Sequence, residues 1–300
     1  MIQVNELHKT YRNGRVKALN GVSFSVDKGE IFGVIGPDGA GKSTLFRILA
    51  SLLIPDPGRG KATVGGYDVI RDYRQIRQII GYMPGRFSLY QDLSVEENLK
   101  FFATLFNTTV EENYSLIKDI YGQIEPFKKR RAGALSGGMK QKLALSCALV
   151  HRPKVLILDE PTTGVDPVSR REFWDMLGRL RELGITILVS TAYMDEADRC
   201  TRVALAREGE FIAIDTPKGI TRDYSEVLWS VEGDRMPALL NRLREYPSVK
   251  TAFAFGDKHH ITVEKGITTE ELENYLANNG FKETRVEPIE PTIEDCFLAM

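Results

Sequence analysis

Three apolar runs along the chain are each followed by a segment with helix-like spacing of apolar residues. EIFGVIG (30–36) precedes a stretch from Ser43 to Leu53, VLILDEP (155–161) precedes SRREFWDMLGRLREL, and ITILVST (185–191) precedes MDEADRC. Short continuous apolar runs bounded by turn residues read as buried strands, and their alternation with helices implies a parallel sheet covered by helices, an α/β fold. Near the start, IQVNELHKTY and VSFSVDKGE look antiparallel, and RVALAREGEFIAI reads as a hairpin turning at Glu208-Gly209. An antiparallel β subdomain is therefore expected beside the parallel sheet.

From about residue 225 the rhythm changes to strand EVLWSVEG, helix MPALLNRLREY, strands VKTAFAFG and HHITVEKG, helix TTEELENYLANN and strand KETRVEPI. This β-α-β-β-α-β order predicts a small α+β ferredoxin-like domain over 223–300, after a larger domain over 1–222. His259 and His260 are adjacent in a strand, so their side chains point to opposite faces and a shared metal site is not expected.

Composition narrows the function. The 300 residues are 42% hydrophobic, enough for a large core, and 40 basic against 41 acidic residues leave a formal charge of −1. Such balance offers no global field for nucleic acid, and none is expected as a partner. FKKRR (127–131) lacks aromatic interleaving beyond Phe127 and reads as a solvated face. Cys147, Cys200 and Cys296 have no metal-ligand spacing and read as small buried hydrophobes. No stretch approaches the roughly 20 apolar residues that cross a bilayer, so work at a membrane would require docking onto one.

The chemistry begins at GPDGAGKST (36–44), between an apolar strand and a helix-like run. It fits G-x-x-x-x-G-K-[ST]: the loop Gly36, Asp38, Gly39, Ala40, Gly41 curls backbone N–H groups around phosphate oxygens, Lys42 reaches the β/γ-phosphates, and Ser43, with Thr44 beside it, opens the helix and supplies a hydroxyl for Mg²⁺. Asp159 and Glu160 end the second apolar strand. Asp159 is a candidate for the Mg²⁺ shell and Glu160 for orienting or deprotonating a water. An apolar strand ending in Asp-Glu also suits a helix N-cap, and it is the phosphate loop that favours catalysis.

Between these motifs lies ALSGGMKQKLAL (134–145), and with it the chain resembles an ABC-family ATPase over residues 2 to about 220. The order matches: Walker A at 36–44, signature LSGGMKQ at 135–141, Walker B at 155–160, and a D-loop-like TTGVDP at 162–167. The resemblance implies a P-loop NTPase with a helical subdomain at about 85–150 and cofactors ATP and Mg²⁺. It also implies a head-to-tail pairing in which Ser136, Gly137 and Gly138 of one domain cap the phosphates held by the other. Tyr11 matches the aromatic that stacks on adenine, although plain packing also explains it, and Asp166 matches the D-loop carboxylate that joins the two sites. Residues 81–103 resemble the Q-loop region that receives a permease coupling helix. Phe87, Leu89 and Tyr90 are the candidate contacts there, with burial against the chain's own helices as the alternative.

Two positions depart from the family pattern. After VST the family usually places a histidine that contacts the γ-phosphate and the attacking water; this chain has Ala192. Position 85, usually the Q-loop glutamine, is Gly85, and Gln91 comes six residues later. Because one transition-state donor is commonly worth about 10²–10³ in rate, tight Mg·ATP binding with slow hydrolysis is expected. The intact signature would still complete a site held by a different partner domain.

The ending EPTIEDCFLAM resembles the PSLEDVF stretch of ATPase subunits in drug- and polysaccharide-type exporters. The resemblance thus implies an exporter subunit, peripheral on the cytoplasmic face of the cell membrane. Its partners would be permease subunits and a second nucleotide-binding domain, in a homodimer, an asymmetric heterodimer or a tandem protein. Two alternatives stay open: a slow regulatory nucleotide-binding module, and a soluble ABC ATPase acting on nucleic acid or ribosomes. Cargo recognition would belong to the membrane subunit.

Overall fold

Buried and exposed positions alternate at the start of β1 (Ile2–Tyr11), which pairs antiparallel with β2 (Val16–Val26), Ile2 opposite Val26 and Val4 opposite Phe24. The computed structural model describes residues 1–12 and 14–300. It divides into two compact units, Met1–Pro217 and Lys218–Met300.

In the first unit, β3 (Ile31–Ile35) is buried throughout and leads through a loop into α1 (Lys42–Leu49). Short strands β4 (Lys61–Val64) and β5 (Tyr67–Asp68) join β1 and β2 in a sheet of order β2-β1-β4-β5. Then follow α2 (Tyr73–Ile79), β6 (Ile80–Met83), α3 (Val95–Leu105), α4 (Val110–Tyr121), α5 (Gly137–Leu149), β7 (Val155–Asp159), α6 (Pro167–Glu182), β8 (Thr186–Thr191), β9 (Arg202–Arg207) and β10 (Glu210–Asp215). The main sheet has the order β10-β9-β3-β8-β7-β6, parallel except for the β9–β10 hairpin. That hairpin turns at Glu208 and Gly209, both at positive φ, the backbone a tight primed turn needs. Phe46, Leu45 and Ile48 of α1 share one core with Val4, Val22 and Phe24 of the antiparallel sheet and Phe32 and Ile157 of the parallel one. Phe24 and Phe32 stack at 5.3 Å, tying the two sheets together behind the phosphate loop.

Helices α3 and α4 start where the sequence writes Ser-x-x-Glu and Thr-x-x-Glu. Ser94 and Glu97, then Thr109 and Glu112, form reciprocal capping boxes. Two segments differ from the sequence reading. MDEADRC is a 3₁₀ turn over Met194–Arg199 rather than an α-helix: within those bounds only Glu196 and Ala197 are buried, too few to form an apolar stripe. α1 stops at Leu49, with Ser51 at positive φ, instead of running to Leu53.

The helix α7 (Pro217–Arg222) begins where the units divide. The second unit contains β11 (Val227–Glu232), α8 (Met236–Arg244), β12 (Val249–Phe255), β13 (Lys258–Val263), α9 (Thr269–Asn278), β14 (Arg285–Pro288) and α10 (Ile293–Ala299). Its antiparallel sheet has the order β12-β13-β11-β14, the split βαβ arrangement. Trp229, Val231, Ile261 and Val263 face Leu239, Leu243, Leu272 and Leu276 of the two helices. His259 bonds the Met236 carbonyl, whereas His260 stacks on Phe255 and pairs with Asp295 at 2.8 Å, so the two imidazoles do separate structural work. The three cysteines are free and buried. Among the described residues no helix is long and apolar enough to cross a membrane.

Candidate functional site

β3 delivers the chain to Gly36 in a space that excludes any side chain: a Cβ there would sit 2.1 Å from the Ala206 carbonyl oxygen. Gly41, at φ +92, makes the turn into α1, and its Cβ would lie 2.1 Å from the Ala18 carbonyl oxygen. Both glycines are therefore demanded by the fold itself. Asp38 and Gly39 stand exposed at the loop tip, and Ala40 is buried behind them.

Lys42 folds back over the loop. Its ammonium donates to the Gly36 and Pro37 carbonyls at 2.7 and 3.0 Å and lies 3.1 Å from Glu160 Oε1. Ser43 Oγ donates to Asp159 Oδ1 at 3.0 Å, joining the start of α1 to the end of β7. Thr44 Oγ1 lies 3.4 Å from the Tyr11 hydroxyl, which brings the aromatic candidate to the mouth of the loop.

Asp159 is buried, and its carboxyl is pushed above its ordinary range mainly by loss of solvent and further by the Glu160 charge, against the opposing pull of its Ser190 and Ser43 hydrogen bonds. Glu160 holds φ +49, a strained backbone for a non-glycine residue, of the kind that collects at functional sites. A hydroxyl and a carboxylate facing each other beside a second acid make a donor set suited to a hard divalent cation, whose charge would relieve this crowding. Among the described residues no cluster of three His, Cys, Asp or Glu side chains offers a self-contained metal site. The fit is thus for a cation that shares its shell with a phosphate. Ser190 was not assigned a role from the sequence. Its hydroxyl donates to Asp159 Oδ1 at 2.8 Å and accepts from Glu160 N at 2.9 Å. The signal available was a pair of hydroxyls, Ser190 and Thr191, ending a buried strand.

The remaining candidates form a separate group. Ser136, exposed with Gly137, caps α5 by accepting from Met139 N. Gly138 approaches α6 so closely that a Cβ would lie 2.9 Å from Ser169 Oγ. Asp166 caps α6 by accepting from Ser169 N at 3.0 Å, and that bond holds its carboxyl below the usual range. Among the described residues no hydrogen bond or ion pair joins Ser136, Gly137, Gly138 or Asp166 to Lys42, Ser43 or Asp159 within this chain.

Residues 19–163 match the family model described as ABC transporter. The probable multidrug ABC transporter ATP-binding protein YbhF of Escherichia coli is 39% identical over 304 residues, spanning 99% of this chain and 51% of that protein, so the chain spans about half the length of this relative. The Nod factor export ATP-binding protein I of Burkholderia lata is 40% identical over 212 residues, 70% of this chain and 69% of that one. The chain belongs to the ABC transporter ATP-binding family. A dimeric ATP-binding cassette, MJ0796, solved in a post-hydrolysis state with ADP and Pi, superposes with a TM-score of 0.64 at 25% identity, covering 72% of this chain and 98% of that one.

Within this ABC cassette the two departures sit beside the loop that starts at Gly36 and the Asp159–Glu160 pair. Gly36 N donates to the Thr191 carbonyl at 3.2 Å, so exposed Ala192 directly follows a residue tied to the phosphate loop. A Cβ at Gly85 would lie 3.2 Å from the Asp159 carbonyl oxygen and 3.8 Å from Glu160 Cβ. Of the three candidate partner contacts, Leu89 is buried, Phe87 is half-buried under the Lys140 ammonium, and Tyr90 is exposed. A groove of about 610 Å³ opens beside them, walled by Tyr82, Met83, Leu89, Phe102, Leu105 and Phe106.

Proposed function

We propose that this chain is the ATP-binding and ATP-hydrolysing subunit of an ABC exporter. In this reading Gly36 to Thr44 hold the triphosphate, Tyr11 packs on the base, and Ser43 and Asp159 hold Mg²⁺, which would neutralise phosphate charge. Glu160 positions the attacking water. The observation that carries it is the junction of Ser43 with Asp159 and Lys42 with Glu160, which puts a phosphate cradle and two acids at one point. Exposed Ser136 and Gly137 at the start of α5 suit capping of a second domain's nucleotide, an arrangement supported by the dimeric cassette described above. The apolar groove beside Tyr90 suits a helix of a membrane permease, which would place the chain on the cytoplasmic face of the membrane.

Ala192 and Gly85 favour slow turnover at the chain's own site, and with it a second reading in which nucleotide-driven pairing matters more than hydrolysis. Binding and turnover of Mg·ATP by the natural chain and by an Ala192→His, Gly85→Gln double variant separate them. Binding in both with a gain of about tenfold or more in turnover, equal to about 1.4 kcal/mol of barrier, supports a side-chain-limited ATPase. Fast turnover by the natural chain removes the proposed deficiency, and absence of ATP binding removes the nucleotide reading itself.

A further inference from the structure

One cation grips the chain immediately after Ala192. Arg170, in the first turns of α6, places its guanidinium 4.2 Å from the centre of the Tyr193 ring. Its Nη2 lies 3.4 Å from Asp195 Oδ2 and its Nη1 3.9 Å from Glu196 Oε1. Glu196 is buried. Its Oε2 accepts from Thr162 Oγ1 at 3.1 Å, while Oε1 has no hydrogen-bond partner. A buried carboxylate left without a cation is costly, so the nearby guanidinium is what makes this placement tenable.

The other side of residue 192 is anchored as well. Tyr193 N donates to Thr191 Oγ1 at 3.0 Å, and the Thr191 carbonyl accepts from Gly36 N at 3.2 Å. Arg170 N in turn donates to the carbonyl of Asp166, the residue that caps α6. Residue 192 is therefore suspended between Thr191, tied to the phosphate loop, and Tyr193, tied through Arg170 to the segment that follows Walker B.

We propose that Arg170 is a positioning residue for whatever side chain stands at 192. It acts through Tyr193 and Glu196 and has no part in touching the nucleotide. The proposal rests on the nucleotide-hydrolysis reading above. Its consequence is a coupling: an imaginary donor restored at 192 is effective only while Arg170 fixes the backbone that carries it. Lysine is not an equivalent, because one ammonium cannot lie flat on an aromatic ring while facing two carboxylates.

The test uses the full chain as natural protein, Ala192→His, Arg170→Ala, and the double variant. Two readouts are taken: amide exchange of residues 191–197 and Mg·ATP turnover, with nucleotide affinity measured alongside. Arg170→Ala is expected to speed exchange of 191–197 by about tenfold, a loss of roughly 1.4 kcal/mol of local protection. The turnover gained from Ala192→His is expected to be about tenfold with Arg170 present and less than about twofold without it, the non-additivity that marks coupled residues. Unchanged exchange, or the same gain in both backgrounds, overturns the proposal. If Arg170→Ala does not fold, Tyr193→Ala removes the ring contact while leaving Glu196 its cation. Loss of coupling in that variant supports the proposal, and intact coupling overturns it. If no variant hydrolyses ATP, the hydrolysis reading fails separately, and exchange of 191–197 alone decides the role of Arg170.

Discussion

Ser190 and Asp159 stand opposite each other in the β7–β8 pairing, and the serine hydroxyl donates to the carboxylate at 2.8 Å while accepting from Glu160 N at 2.9 Å. One buried hydroxyl thus fixes both acids: the side chain of the first and the backbone of the second. The strained φ of Glu160 is held at the same place. Asp159, which accepts from Ser43 at the start of α1, is therefore oriented by the strand that ends at Thr191, one residue before Ala192.

Ser190→Ala should cost about 1–3 kcal/mol, because it strands the Glu160 N–H and removes one of two hydroxyl donors from Asp159. Urea midpoints of the nucleotide-free chain measure this. A cost below about 0.5 kcal/mol would mean that water replaces the hydroxyl. Mg²⁺-dependent nucleotide binding should weaken in the same variant, since Asp159 is left free to rotate.

The pH dependence of Asp159 has a definite sign. Its folded-state pKa lies above the ordinary value of 3.8, chiefly through burial, so the folded chain holds this proton more tightly than the unfolded one. The stabilising contribution is complete below the unfolded value and is lost as pH rises through the folded value; at neutral pH the ionised carboxylate opposes folding. Asp159→Asn should accordingly raise the melting temperature of the nucleotide-free chain near pH 7. The gain should shrink as pH is lowered from 7 through the raised folded-state value and the natural residue takes up its own proton. Calorimetry across that range checks it, and a gain that does not vary with pH would refute the assignment.

How much of this was legible beforehand follows the range of the contacts. The phosphate loop is local, nine consecutive residues between a strand and a helix, and spacing alone announces it. The ferredoxin-like order of the second unit was equally readable, because each helix carries its own apolar stripe, and Thr268 with Glu271 marks the start of α9. The role of Ser190 was hidden because it depends on β7 and β8 lying side by side with Asp159 opposite Ser190, a register that no local pattern encodes. Arg170 was hidden for the same reason: its charge is common on a helix surface, and only the fold sets Tyr193 and Glu196 against it. MDEADRC misled in the opposite sense, since residues that favour helices carry too few buried positions between Met194 and Arg199 to make an apolar stripe.

A helix side chain bonds one backbone group on each outer strand of the second unit's sheet. Arg244 of α8 donates to the Ala252 carbonyl on β12 at 3.1 Å, and Glu273 of α9 accepts from Val286 N on β14 at 3.0 Å. β12 and β14 are the outer strands, and an open edge invites pairing with another chain. The double variant Arg244→Ala, Glu273→Ala should therefore self-associate as concentration rises, while the natural chain resists this route. Sedimentation velocity measured on both, at matched concentrations, should show the difference; equal association would mean that the edges are protected by other means.

Asp166 offers the sharpest separation of a structural role from a functional one. Within the chain it is an N-cap, accepting from Ser169 N at 3.0 Å. Serine caps helices about as well as aspartate, whereas alanine forfeits about 1 kcal/mol. Asp166→Ser should therefore keep the melting temperature that Asp166→Ala lowers. If the carboxylate also serves a second domain across a nucleotide-bound pair, Asp166→Ser should still lose turnover or dimerisation at saturating Mg·ATP despite its intact stability. If Asp166→Ser behaves as the natural chain in both respects, capping α6 is the whole of its function, and any contact with a second domain must be sought in the exposed Ser136 and Gly137.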